Sequence, residues 1–486
     1  MQKEYFTSRW GLIYAALGMA IGTGNVWRFP RIAAKNGGGA FIIAWIISLF
    51  LWSIPILIIE FGMGKKTRKG VIGAFGKIVG KRYVWMGSFV VFCTMAIMYY
   101  YSVVMGWCLK YFIASFSNTV LASSTSEYWN NFTSGFQPVL FHFMSVIIVS
   151  VIVYLGVIRG IEKANRLLIP TLFILLFVLA VRAVFLPGAE KGLNFLFNPE
   201  WGKLFHYQIW LEALTQSAWS NGAGWGLLLT YSIYIKKKED IVLNSFLTGF
   251  GNNSASLISA IAVLCTIFAV LPEYEALKAV SSDNTGLTFV WIPMLFERIP
   301  GGILFMAIFF LGLTLAALSS LIAMVELAVR IFIDLGLERH KAIYIVAFLA
   351  FFLGIPSAVS MGFLNNQDWT WSLGLMINGF FMAFAVIKYG TENFRNNIIN
   401  TEGNDINLGK WFDIVVKYVI PVEFFSLIGW WFYQSITIFD KNGWWNPLHI
   451  YSIGTCLFQW GFVIFVFIIL NRWIADKSSL KLNIEK

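Results

Sequence analysis

Apolar runs of about 20 residues recur from one end of this chain to the other, and each is long enough to cross a bilayer as a helix. They lie near 9–34, 39–64, 84–112, 138–158, 165–186, 208–235, 241–271, 301–334, 342–357, 369–389, 412–434 and 449–473. A backbone inside lipid must satisfy its own polar groups, so runs of this length leave helices as the available form. The expected fold is an all-α integral membrane protein with twelve transmembrane helices. Of the 486 residues, 58% are hydrophobic and 13% charged, which is too little polar surface for a soluble domain of this size.

The net charge of +11 would suit a nucleic-acid partner if it were spread over a face. It is not. Lys65, Lys66, Arg68, Lys69, Lys77, Lys81 and Arg82 crowd one inter-span segment without an acid. Arg159, Lys163 and Arg166 lie between spans 4 and 5, and Lys236-Lys237-Lys238 follows span 6. Segments 115–137 and 357–367 have no Lys or Arg. Basic loops stay cytoplasmic, so both termini are expected inside, in an inner or plasma membrane, with lipid rather than nucleic acid as the partner.

Several chemistries find no residues. Cys93, Cys108, Cys265 and Cys456 all fall inside apolar runs, where buried small side chains are the default. The four histidines are scattered and no phosphate-binding loop is present. Lys3, Glu4 and Arg9 precede the first apolar run without a small-residue cleavage site after it, so no cleavable signal is expected. The polar stretch 391–410 reads as a cytoplasmic loop.

Two runs are interrupted. Span 1 contains Gly18-Met19-Ala20-Ile21-Gly22-Thr23-Gly24-Asn25, and span 6 contains Gln216-Ser217-Ala218-Trp219-Ser220-Asn221-Gly222-Ala223-Gly224-Trp225-Gly226. Each holds a Gly-x-Gly beside Asn or Ser. The breaks are five spans apart, and an odd offset reverses direction, as in an inverted repeat of spans 1–5 and 6–10. Paired broken helices at mid-membrane mark the binding site of a transporter. A broken helix frees N–H groups that attract a carboxylate and carbonyls that attract a cation. Asn252 in span 7 and Ser319-Ser320 in span 8 add oxygens of the kind a hard cation prefers. An amino acid with Na⁺ suits this set.

The residues now resemble a known family. Gly24-Asn25-Val26-Trp27-Arg28-Phe29-Pro30 followed by Lys35-Asn36-Gly37-Gly38-Gly39-Ala40-Phe41 is similar to the signature of the neurotransmitter:sodium symporters. The likeness continues through Tyr100-Tyr101 and Trp107, Pro170–Leu175, Gly192–Leu196 and Asp240–Leu243. A short, cysteine-free second outer loop resembles the bacterial members. The resemblance implies the LeuT fold. Residues 1–390 would form the transporter core, with five-helix repeats 1–186 and 208–390. Residues 391–486 would supply a loop and spans 11–12.

The resemblance also assigns roles. One Na⁺ site would use the Ala20 carbonyl, Asn25, Ser220, Asn252 and the substrate carboxylate. A second would use the carbonyls of Gly18, Ile21 and Ala316 with the hydroxyls of Ser319 and Ser320. Substrate would lie against Gly22, Thr23 and Gly24, with Tyr101 bonding its carboxylate. Its side chain would face Ile97, Trp219, Ser220, Gly222, Trp225, Ser320 and Met324. Trp219 would be the lid. The family usually has phenylalanine where Trp219 and Trp225 stand, so the choice of amino acid stays open. Amine transporters of the family place aspartate at Gly22, so glycine favours an amino acid, expected to be neutral and hydrophobic or aromatic. Another small amine or osmolyte is the alternative.

Arg28 and Asp368 would form an outer gate. Asp334 would anchor a cytoplasmic gate with Lys3 or Arg9. Glu60, a carboxylate deep in span 2, is expected to accept bonds from N–H groups freed by the breaks. Gln216, Ser220, Asn252 and Ser256 match a chloride cage, but Trp45 replaces its tyrosine and can only donate. Chloride dependence and proton counter-coupling both stay open. A membrane enzyme would need a nucleophile–base cluster that the chain lacks. A sensor that binds without transport would carry the same site.

Overall fold

The computed structural model describes residues 5–117, 119–120, 124–236, 238–401 and 404–479. Among them, nine helices are long and apolar enough to cross a membrane. Three more segments are composite. Span 1 runs as Arg9–Ala20, Gly24–Arg28 and Phe29–Lys35; span 6 as Tyr207–Ser220 and Leu227–Ser232; span 11 as Trp411–Ile414, Val415–Val419 and Ile420–Gln434. Nine and three agree with the twelve expected crossings. Span 3 (Lys81–Ser115), span 8 (Gly302–Asp334) and span 12 (Ile453–Ser478) have 83%, 83% and 28% of their most apolar window buried. Spans 3 and 8 are therefore central and span 12 peripheral.

The packing follows the repeat. Spans 3 and 8 pack against each other along their lengths. Span 6 packs along span 2 (Gly39–Thr67), and span 1 along span 7 (Ile241–Val270). This is the exchange required when each helix of one half corresponds to the helix five places on. Peripheral faces present bare apolar side chains such as Leu167, Ile174, Phe462 and Ile469, as a lipid-facing surface demands.

The broken spans lie inside this scaffold. Span 1 stops where Ile21 turns extended, at φ −82° and ψ 101°. It resumes at Gly24–Arg28, which runs directly into Phe29–Lys35. Span 6 stops at Ser220 and restarts at Leu227.

Candidate functional site

In span 1 the helical donors leave their carbonyls. Gly22 N–H donates to Asn25 Oδ1 at 2.9 Å, Thr23 N–H to the Tyr101 hydroxyl at 3.0 Å, and Asn25 N–H to the Gly22 carbonyl at 3.2 Å. The carbonyls of Gly18, Met19 and Ile21 therefore lack the partner four residues on. They turn toward span 8. Ser320 Oγ lies 3.3 Å from the Gly18 oxygen and 3.2 Å from that of Ile21. Ser319 Oγ lies 3.4 Å from the Ile21 oxygen and 3.0 Å from that of Ala316. All five oxygens expected at the second Na⁺ site thus converge, a donor set of carbonyls and hydroxyls suited to a hard cation.

The first expected site also assembles. Asn25 Nδ2 donates to Asn252 Oδ1 at 2.7 Å, and Asn252 Nδ2 to Ser220 Oγ at 3.1 Å. Asn252 Oδ1 also faces the carbonyl oxygens of Ala20 at 3.1 Å and Ser220 at 3.0 Å. With the amide turned round, its nitrogen donates to both carbonyls. Ala20, Asn25, Ser220 and Asn252 thus bring together carbonyl, amide and hydroxyl oxygens, the donor types a hard cation takes.

Between the breaks is a small cavity. Of the expected substrate residues, Gly22, Gly24, Tyr101, Trp219, Ser220, Gly222, Trp225, Ser320 and Met324 line it, together with Met19. Thr23 and Ile97 are buried but do not. Thr23 is turned to Tyr101, with its hydroxyl 3.3 Å from the phenol. That phenol oxygen accepts the Thr23 N–H, so its own O–H remains to donate. A β-carbon on Gly22 would stand 2.8 Å from it, and one on Gly24 would stand 2.3 Å from the Trp219 ring. These glycines serve as space. The Trp219 and Trp225 rings meet edge to face with centroids 6.1 Å apart.

The second break is closed by protein. Gly222, Gly224 and Gly226 have φ of +69°, +88° and +77°, a region that side chains disfavour. Glu60 accepts the N–H groups of Gly224 at 2.7 Å and of Gly226 and Leu229 at 3.2 Å. Thr94 Oγ1 donates to the Trp225 carbonyl at 2.7 Å. The expectation for Glu60 holds.

The gates differ from the expected pairs. Arg28 stacks on the Trp219 ring, 5.0 Å from its centroid, instead of pairing with Asp368. Trp219 Nε1 donates to Ser372 Oγ at 2.9 Å, and Ser372 Oγ to Asp368 Oδ1 at 3.1 Å. Tyr100 donates to the same oxygen at 3.0 Å. The lid's indole N–H is thus the link between Arg28 and Asp368, which phenylalanine would not supply. At the basic end Asp334 pairs with Arg330 at 2.8 Å and accepts the Gly70 N–H at 2.7 Å. Arg9 pairs with Asp405 at 2.5 Å, and Lys3, like Lys237, lies outside the described residues. An Arg9–Asp334 pair is absent because each group is held by a nearer partner.

Sequence reasoning missed two buried carboxylates here. Glu326 accepts both Arg339 terminal nitrogens, at 3.0 and 2.6 Å, and the Tyr234 hydroxyl at 2.7 Å. Glu162 accepts the Thr7 N–H at 2.9 Å and Arg166 at 2.6 Å. Phe6 N–H donates to the Tyr234 carbonyl at 2.9 Å. The segment before span 1 is thereby tied across spans 5, 6 and 8. A carboxylate inside an apolar run is the signal that exposed Glu60, and Glu326 carries it as plainly.

The profile of the Sodium:neurotransmitter symporter family matches residues 3–139 and 137–476. The chain belongs to this symporter family. An uncharacterised sodium-dependent transporter of Methanocaldococcus jannaschii is 32% identical over 448 residues, covering 87% of this chain and 89% of the relative. One from Bacillus subtilis is 30% identical over 456 residues, covering 87% and 97%. The crystal structure of MhsT in complex with L-phenylalanine superposes with a TM-score of 0.78 at 28% identity, covering 87% of this chain and 99% of MhsT. This symporter is an integral membrane protein with the LeuT fold, a sodium-dependent secondary transporter and not an enzyme.

Proposed function

We propose that this symporter carries a neutral amino acid with an apolar or aromatic side chain, together with Na⁺, by alternating access. One observation carries the reading: the first break, whose carbonyls lose their helical donors, and Tyr101, whose O–H remains to donate, meet at one cavity between the two breaks. The carbonyls suit a cation and the phenol suits a carboxylate. Gly22 leaves room for that carboxylate where an acidic side chain would meet Tyr101 and Ser320. Trp219, Trp225 and Met324 give the substrate side chain apolar walls. MhsT, solved with L-phenylalanine, supports the class.

Two Na⁺ ions are proposed. Ala20, Asn25, Ser220 and Asn252 hold one beside the substrate carboxylate, so each solute completes the other's site. Gly18, Ile21, Ala316, Ser319 and Ser320 hold the other. The basic end is proposed as cytoplasmic, on the distribution of Lys and Arg. Residues 1–390, built of repeats 1–186 and 208–390, form the transporting core in this reading, with 391–486 as an appendage. Arg28, Trp219 and Asp368 close one side, and Glu326, Glu162 and Asp334 hold the other shut.

Chloride is proposed as a co-substrate at Gln216, Ser220, Asn252 and Ser256. Both polar ends of the buried Gln216 side chain and the Trp45 N–H lack hydrogen-bond partners, and Ser256 Oγ lies 2.8 Å from Asn25 Nδ2. Replacing chloride by gluconate should lower Na⁺-driven uptake several-fold, and unchanged uptake removes chloride from the reading. The main test is uptake of labelled amino acids into proteoliposomes. Accumulation that collapses without a Na⁺ gradient is expected. Binding without accumulation would make the protein a sensor instead.

A further inference from the structure

Asn165 stands in span 5 and is fully buried. Its Nδ2 donates to the Ile161 carbonyl one turn back at 2.9 Å, and its Oδ1 has no hydrogen-bond partner. Turning the amide gives no relief, because Oδ1 would then face the Ile161 carbonyl oxygen. The position of Oδ1 is set by Gly18. A β-carbon there would stand 2.1 Å from Asn165 Oδ1 and 3.3 Å from Ser319 Cβ. The orphan oxygen therefore occupies the space that a side chain at position 18 would take, beside two residues proposed to hold the second Na⁺. Cβ positions in a helix tilt toward its N-terminus, so Asn165 lies on the basic-end side of the oxygen cluster.

We infer that Asn165 Oδ1 is an additional oxygen ligand of the second Na⁺ site, on the side facing the basic end, an inference that rests on the reading of that site given above. Carbonyl, hydroxyl and amide oxygens are the ligands a hard cation takes, and an amide oxygen without a donor is free to serve as one. Gly18 has two parts in this arrangement. It supplies a carbonyl, and by lacking a side chain it admits Asn165.

The test is a Na⁺ titration without substrate, read as the rise in melting temperature of the purified protein, repeated with Li⁺ and on substrate binding. Asn165→Ala should raise the Na⁺ concentration for half-maximal stabilisation at least fivefold. Asn165→Asp keeps the shape, adds charge beside the cation, and should lower it at least threefold with a changed Na⁺/Li⁺ ratio. Ser319→Ala is the control. If it raises the Na⁺ requirement while Asn165→Ala stays within twofold of wild type, Asn165 is structural or holds a water and the inference falls. If Ser319→Ala also leaves the requirement unchanged, the reading of the second site itself fails. Should Asn165→Ala not fold, Asn165→Asp decides, and an unchanged Na⁺ requirement overturns the inference.

Discussion

The two helix breaks look alike in sequence and are built in opposite ways. In span 6 three glycines take left-handed backbone, and the freed N–H groups are consumed by Glu60. In span 1 none of the glycines is left-handed; Ile21 turns extended, and the freed carbonyls meet only hydroxyls and amides of neighbouring spans. A buried carboxylate saturates donors permanently. Hydroxyls bond carbonyls weakly and can exchange them for a cation. The second break is thus a fixed hinge in the protein's own structure, and the first leaves carbonyls free for the Na⁺ sites proposed above.

The largest expected effect breaks the hinge. Glu60→Ala orphans three buried N–H groups, at about 1–3 kcal/mol each. The variant should fail to give monodisperse protein in detergent, or should melt far below wild type. Near-native stability would mean that water can replace the carboxylate. Gly224→Ala comes next. Its φ of +88° and a backbone contact at 2.9 Å from Gly379 N put the cost above the usual ~1–2 kcal/mol for left-handed backbone. Gly22→Ala should instead fold and lose substrate affinity, since its β-carbon meets only side-chain oxygens. Thermal melts and binding isotherms of the pair separate backbone strain from lost space.

Asn252→Ala probes the other side of the comparison. It should raise the Na⁺ concentration for half-maximal substrate binding about tenfold, or 1.4 kcal/mol, with little change in melting temperature without Na⁺. An unchanged Na⁺ requirement would count against the first site. The smallest effect is at the lid. Trp219→Phe keeps the ring and loses the bond to Ser372, about 0.5–1.5 kcal/mol. Labelled substrate should then dissociate roughly twofold to tenfold faster. An unaltered rate would mean that Arg28 stacking alone closes the lid.

Much of the site was legible before the fold. The oxygens of Gly18, Ile21, Ala316, Ser319 and Ser320 were expected together and meet; so were Ala20, Asn25, Ser220 and Asn252. The ion pairs were not legible. Arg28 was expected with Asp368, and Asp334 with Lys3 or Arg9; Arg28 instead stacks on Trp219, which bonds Ser372, Arg9 pairs with Asp405, Asp334 pairs with Arg330, and Lys3 lies outside the described residues. A long charged side chain takes whichever partner its helix rotation brings within reach, and rotation is decided by packing. Ile97 stayed out of the cavity for the same reason.

The sequence by itself determined the all-helical membrane fold, the two breaks and the oxygen-rich residues around them, because lipid imposes apolar length and helix interruption on the local chain. Only the tertiary structure decided which break is sealed by a carboxylate and which keeps carbonyls without helical donors. That choice depends on a carboxylate from span 2 reaching span 6, and on two serines and an orphan amide from spans 8 and 5 reaching span 1. Contacts between distant spans are set by how helices dock, which local composition does not encode.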